Sequence, residues 1–153
     1  MSRAFVKELE DGVEELPERL ISPHPNLVTA EGLAHIEAEV TRLQQEHAAA
    51  QAANDRTALA RAARDLRYWT ARRATAQLVA APNDRSKVHF GSTVTIVRND
   101  GRRQTFRIVG EDEADPARGT LSHASPLARA LFGKELGGTV KVAQSEAEIV
   151  GIA

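Results

Sequence analysis

The 153-residue sequence contains no cysteine, which excludes disulfides, zinc–thiolate sites and thiol catalysis, fits a reducing compartment, and sets a cytoplasmic location as the expectation. Aromatic residues make up only 4% of the chain, with one Trp and one Tyr, whereas alanine is abundant; that balance suits close-packed helices better than a large β-sandwich. No run approaches the ~18–20 consecutive apolar residues that a membrane-crossing helix needs, and "MSRAFVKELEDGVEELPERL" lacks the apolar centre of a signal peptide. Neither sign of charge dominates: 20 Lys and Arg stand against 21 Asp and Glu, for a formal net charge of −1. No global field would hold a polyanion, so direct nucleic-acid contact is at most secondary. His24, His35, His47, His89 and His123 show no His-x-x-x-His spacing. The acidic stretch "GEDEADPARG" departs from a calcium loop at Pro116 and lacks the downstream glutamate. The chain is therefore expected to carry no cofactor and no metal site of its own.

A hydrophobic content of 42% is enough for a core in one domain or two small ones. Residues 1–27 form a lead-in with an acidic cluster (Glu8, Glu10, Asp11, Glu14, Glu15, Glu18) and three prolines (Pro17, Pro23, Pro25) that disfavour helix, so an extended course is expected. Within it "SRAFVKE" is open as an extra strand, a tether or a separate contact. Residues 28–81 turn helical. Thr29 is a candidate N-cap, and Leu33, Ile36, Val40 and Leu43 step by three and four along one seam. Leu59, Ala62, Leu66 and Trp69 make a second seam, and Asn54, Asp55 and Thr57 supply the turn between them. An antiparallel helical hairpin follows, its second arm running until Pro82 stops it. Arg56, Arg61, Arg64, Arg67, Arg72 and Arg73 are read as solvated or ion-paired in preference to a DNA-binding face. Tyr68 and Trp69, near the base of that arm, are expected to pack against the C-terminal domain and not to stack on a ligand.

From residue 83 the hydrophobic period drops to two. Val88, Phe90, Val94 and Ile96 alternate up to Asn99-Asp100-Gly101, a type I′ turn signal, and Phe106 and Ile108 continue beyond it as a β-hairpin. "GTLSHAS", "GTVKVA" and "EAEIVGIA" add further strands. Between them "SPLARALFGKELGG" reads as a short helix with Ser125 as cap, Pro126 at its first position, Gly133 as its stop, and Leu127, Ala130 and Leu131 on one apolar face. The expected class is α+β: an N-terminal helical hairpin, then residues 83–153 as a twisted antiparallel sheet crossed by one short helix.

"VHFGSTVTIV" and "FRIVGEDEADPARGTLSHASPLARALFGKELGGTV" resemble the C-terminal domain of the GreA/GreB transcript cleavage factors. "LVTAEGLAHIEAEV" resembles the opening of their coiled coil, and "LRYWTARRATAQLV" its second arm. The resemblance spans about residues 27 to 153. It implies an FKBP-like C-terminal domain that docks on the rim of the RNA polymerase secondary channel and a coiled coil that enters the channel. In that reading Asp112, Glu113, Asp115, Ser125, Pro126, Leu127 and Arg129 are the docking candidates, and the chain is a regulator with no enzyme chemistry of its own.

The cleavage factors carry paired acidic residues at the hairpin tip that hold a second Mg²⁺ in the polymerase active site, as a hard cation in a two-metal site requires. Here the matching stretch, "AAAQAANDRTALARAA", has Asp55 as its sole carboxylate between Glu46 and Asp65. The resemblance also implies a hairpin shorter by roughly eighteen residues, or ~14 Å less reach per arm at helical rise. The leading expectation is thus a polymerase-binding elongation regulator without cleavage stimulation. Two alternatives stand beside it: a true cleavage factor in which Asp55, with or without Asp65, supports Mg²⁺, and a regulator of nucleoside diphosphate kinase of the Rnk type. A peptidyl-prolyl isomerase is a more distant reading, because Phe90, Phe106 and Phe132 line a proline pocket only thinly.

Overall fold

The computed structural model describes residues 16–153, so the reading of "SRAFVKE" and the acidic cluster from Glu8 to Glu15 lies outside the described residues. The chain divides into two units, one formed by the segment up to Pro23 with His35–Thr75 and the other by His24–Ala34 with Ala76–Ala153.

The helical unit is built on α1 (Ala30–Ala52), whose first turn belongs to the other unit, and α2 (Arg56–Thr75). Of the seam expected on α1, Ile36, Val40 and Leu43 lose nearly all solvent contact, at ~1.5–3 kcal/mol for each, and Ala50 extends the buried stripe, whereas Leu33 is only half-buried. On α2 the buried positions are Ala62, Trp69 and Arg72, with Leu59 and Leu66 only half-buried. Arg72 is 1% exposed, an unusual position for an arginine and one that no apolar period announces. Trp69 meets His35 and Tyr68 edge to face, with ring centroids 5.4 and 5.2 Å apart, so both aromatic residues make these ring contacts inside the helical unit. Residues 16–23 lie along α2 without regular structure. Glu18 pairs with Arg67, and the Arg19 guanidinium sits 3.9 Å from the Tyr68 ring centroid and 3.6 Å from Asp65.

In the second unit the expected course of α2 is corrected. The helix ends at Thr75, well before Pro82, because the next residues form β2 (Gln77–Leu78) in parallel with β1 (Leu27–Val28). The Gln77 amide donates to the Asn26 carbonyl at 2.8 Å and the Val79 amide to the Val28 carbonyl at 3.0 Å. Those partners lie about fifty residues earlier in the chain, and such pairing overrides local helix propensity.

The main sheet has the order β5-β4-β3-β7-β6, with β3 (Thr93–Arg98), β4 (Arg103–Val109), β5 (Thr120–Ser122), β6 (Thr139–Val142) and β7 (Ser145–Ile152). Three further expectations are revised. Val88 and Phe90 are buried but precede the strand, since Gly91 at φ +87° and a turn from His89 to Ser92 intervene. In the hairpin loop only Gly101, at φ 85°, is left-handed, and its amide bonds the Arg98 carbonyl at 2.9 Å; this is a type I turn closed by a glycine bulge, not type I′. The sheet is antiparallel except at one edge, where β5 runs parallel to β4. The short helix α3 (Pro126–Leu131) forms as expected, with Ser125 capping the Ala128 amide at 3.3 Å, but Ala128 and Leu131 face the core while Ala130 is exposed. These two join Val94, Ile96, Ile108, Leu121, Val140 and Ile149 in a single apolar cluster.

Candidate interaction sites

The parallel edge of the sheet brings two separate stretches of sequence together. Val109 and Ser122 are register partners, and the His123 amide donates to the Val109 carbonyl at 2.9 Å. The acidic loop after β4 and the start of α3 after β5 therefore leave the sheet at the same end. Pro126 and Arg129 are exposed there, Leu127 is half-buried against the core, and Ser125 is spent on local order. The Ser125 hydroxyl donates to the Ser122 carbonyl at 2.7 Å while accepting from Ala128. Asp112 and Asp115 are half-buried; the Asp115 carboxylate lies 3.5 Å from the Arg118 guanidinium, and its amide donates to the Thr120 hydroxyl at 2.7 Å. This arrangement is a platform with a proline and an arginine at its surface.

Glu113 behaves differently from its acidic neighbours. Its carboxylate reaches Thr29, accepting the threonine hydroxyl at 2.6 Å and, more weakly, the threonine amide at 3.4 Å. The same hydroxyl accepts the Gly32 amide at 3.0 Å, so it is both the N-cap of α1 and a donor to Glu113. A Cβ at Gly32 would collide with the Glu113 carboxylate, and one at Gly110 would stand 2.5 Å from the Leu27 carbonyl oxygen. Two glycines thus permit the close approach. On the same turn Glu31 is held below the usual carboxylate range, first by its own backbone amide and then by Arg107 3.6 Å away. Thr29 as a helix cap and Glu113 in an acidic run are each visible in the sequence, but their union is not. The available signal was a Thr-x-x-Gly at a helix start, where a capping box has an acid in the fourth place.

The hairpin tip forms a groove of about 480 Å³, lined by alanines and by Arg42, Glu46, Asp55, Arg61 and Asp65. Asn54, at φ 52°, turns the chain, and Asp55 then caps α2 by accepting the Ala58 amide at 3.1 Å. Arg42 bonds Glu39 at 2.5 Å and Glu46 at 2.6 Å, hydrogen bonds that raise its pKa, while Asp65 lies 3.0 Å from Arg64. Asp55 and Asp65 are ten positions apart along one helix, or ~15 Å at helical rise, whereas Mg²⁺ binds its oxygens at ~2.1 Å. They cannot share one ion. Among the described residues no three His, Asp or Glu side chains gather as a metal site, and no helix is long and apolar enough to cross a membrane.

Residues 82–152 match the family model described as "Transcription elongation factor, GreA/GreB, C-term". The chain is 58% identical over 59 residues to the transcription elongation factor GreA of Hyphomonas neptunium, a match covering 38% of either protein. Against the GreA of Desulfovibrio desulfuricans it is 36% identical over 132 residues, covering 85% of this chain and 78% of that one. It also aligns with the crystal structure of GreA factor homolog 1 of Thermus thermophilus, with a TM-score of 0.40 and 21% identity over 85% of this chain and 99% of that one. The two sequence relatives are named as transcription elongation factors. A relative more than 30% identical over most of both chains, with a family model on the sheet domain, establishes that this chain belongs to the GreA/GreB family of transcription elongation factors.

Proposed function

We propose that this protein is an RNA polymerase-binding regulator of elongation that docks at the rim of the secondary channel through residues 83–153 and presents its hairpin there without stimulating transcript cleavage. The observation that carries the reading is the state of the tip. Its lone central carboxylate, Asp55, is engaged as the cap of α2, and the next one along that helix lies ~15 Å away. A tip of this kind offers one carboxylate, already engaged as a helix cap, where the cleavage factors use an acidic pair to hold the shared metal. The docking surface in this reading is the platform at the parallel sheet edge, with Pro126 and Arg129 in contact, Asp112, Asp115 and Leu127 beside them, and Ser125 fixing the helix start. The test is competition: fluorescently labelled protein is bound to core RNA polymerase and titrated with GreA. Displacement by GreA, weakened binding of an Arg129→Glu variant, and no release of a 3′ RNA fragment from backtracked complexes are expected. Failure to bind, or binding that excess GreA leaves untouched, ends the proposal.

A further inference from the structure

We propose that Glu113 is a positioning residue for the hairpin: from the acidic loop after β4 it completes the N-terminal cap of α1 and ties the first turn of that helix to the loop. In a capping box the N-cap Ser or Thr accepts the amide three residues on, and an acid at that third position reaches back to the N-cap amide. Thr29 performs the first half, accepting the Gly32 amide at 3.0 Å. The third position is Gly32 and has no side chain to perform the second half. Glu113 supplies it from 84 positions away, with one oxygen on the Thr29 hydroxyl at 2.6 Å and the other facing the Thr29 amide at 3.4 Å.

The fit is specific in three ways. Gly32 leaves open the volume that the Glu113 carboxylate fills, since a Cβ there would collide with it. Thr29 is 3% exposed, so water competes poorly for these groups. The loop is brought in by Gly110, whose missing Cβ admits the Leu27 carbonyl, and the Glu113 amide returns to the Gly110 carbonyl at 3.3 Å. A negative charge at a helix N-terminus is favoured by the helix dipole, and here that charge belongs to a different segment of the chain. A cap supplied within α1 would serve the helix equally well; one supplied by the loop also fixes where the helix starts. The consequence for the tip rests on the polymerase-binding reading above, because α1 is continuous from this turn to Ala52.

The test uses the full chain with a photo-crosslinking residue at position 57, in wild type, Glu113→Ala, Glu113→Gln and the double variant Gly32→Glu/Glu113→Ala. In Glu113→Ala, hydrogen exchange at the Gly32 and Leu33 amides should quicken about tenfold. Polymerase affinity should stay within about threefold, because the platform is untouched, while tip crosslinking to polymerase falls at least fivefold. Glu113→Gln keeps an acceptor for the Thr29 hydroxyl and should lie within about threefold of wild type in both readouts. The double variant rebuilds the capping box inside α1, so amide protection should return while crosslinking stays low. Restored crosslinking in the double variant would mean that Glu113 acts only through helix stability and would overturn the proposal, as would unchanged exchange in Glu113→Ala. Should wild type not bind polymerase, the functional reading fails, yet the exchange measurements still decide whether Glu113 caps α1.

Discussion

Replacing Asp55 by alanine separates the two roles open to this residue. In the structure the carboxylate accepts the Ala58 amide at 3.1 Å, while the Asp55 carbonyl independently accepts the Leu59 amide at 2.9 Å. Alanine removes the first bond and leaves the second, so the cost is that of a lost N-cap, about 1 kcal/mol, with a few tenths more from the negative charge at the positive end of α2. In a chain of this size that lowers the midpoint of thermal unfolding by roughly 2–4 °C per kcal/mol. Asn keeps the acceptor and loses only the charge, so Asp55→Asn should fall a few tenths of a kcal/mol below wild type. The assay is unfolding followed by far-ultraviolet circular dichroism, run beside 3′ fragment release from backtracked complexes. A stability loss in Asp55→Ala, near-recovery in Asp55→Asn, and no cleavage to lose in any of the three are the expected outcomes. An Asp55→Ala protein as stable as wild type, or an Asn variant as damaged as the alanine one, would refute the assignment of this carboxylate as a cap.

Other consequences follow from the fold. Ala128→Leu should destabilise by about 1–3 kcal/mol in chemical denaturation because position 128 is sealed in the core, whereas Ala130→Leu on the exposed side of the same helix should stay within about 0.5 kcal/mol. Gly110→Ala places a methyl 2.5 Å from the Leu27 carbonyl, and the backbone shift it forces should cost at least about 1 kcal/mol by the same measurement. Asp84 is held well below the usual carboxylate range, first by the Ser86 hydroxyl and then by His89. With the folded pKa depressed, its favourable contribution is present above the unfolded carboxylate range and fades as pH falls through the folded value. In a carboxyl NMR titration, Ser86→Ala should raise the Asp84 midpoint more than His89→Ala does, and the reverse order would contradict the ranking of causes.

Local periodicity made most of the fold legible. The three-and-four spacing of Ile36, Val40 and Leu43 marked the buried stripe of α1, and the two-residue alternation around Ile96 and Ile108 marked β3 and β4, because each pattern reports a face that is wet or dry within one element. What stayed hidden depends on partners distant in the chain. The β1–β2 pair ends α2 early because Asn26 and Val28 offer carbonyls to residues some fifty positions on. The parallel β4–β5 edge reverses no hydrophobic pattern, so alternation could not distinguish it from an antiparallel one. Arg72 is buried where charge predicts exposure, and no apolar period in the sequence marks the position. At the tip, the sequence shows Asp55 as the sole carboxylate between Glu46 and Asp65, and the geometry adds what that carboxylate is bound to. Glu113, a docking candidate by its place in an acidic run, has its carboxylate directed to Thr29.

The most direct test of the central claim is GreA-stimulated cleavage in a stalled, backtracked elongation complex, measured as 3′ fragment release while this protein is titrated in. If residues 83–153 take the same docking site and the tip does not complete the two-metal site, release falls in proportion to occupancy and the protein alone leaves the transcript intact. Fragment release stimulated by the protein alone, or GreA activity unaffected at saturating concentration, would contradict the account.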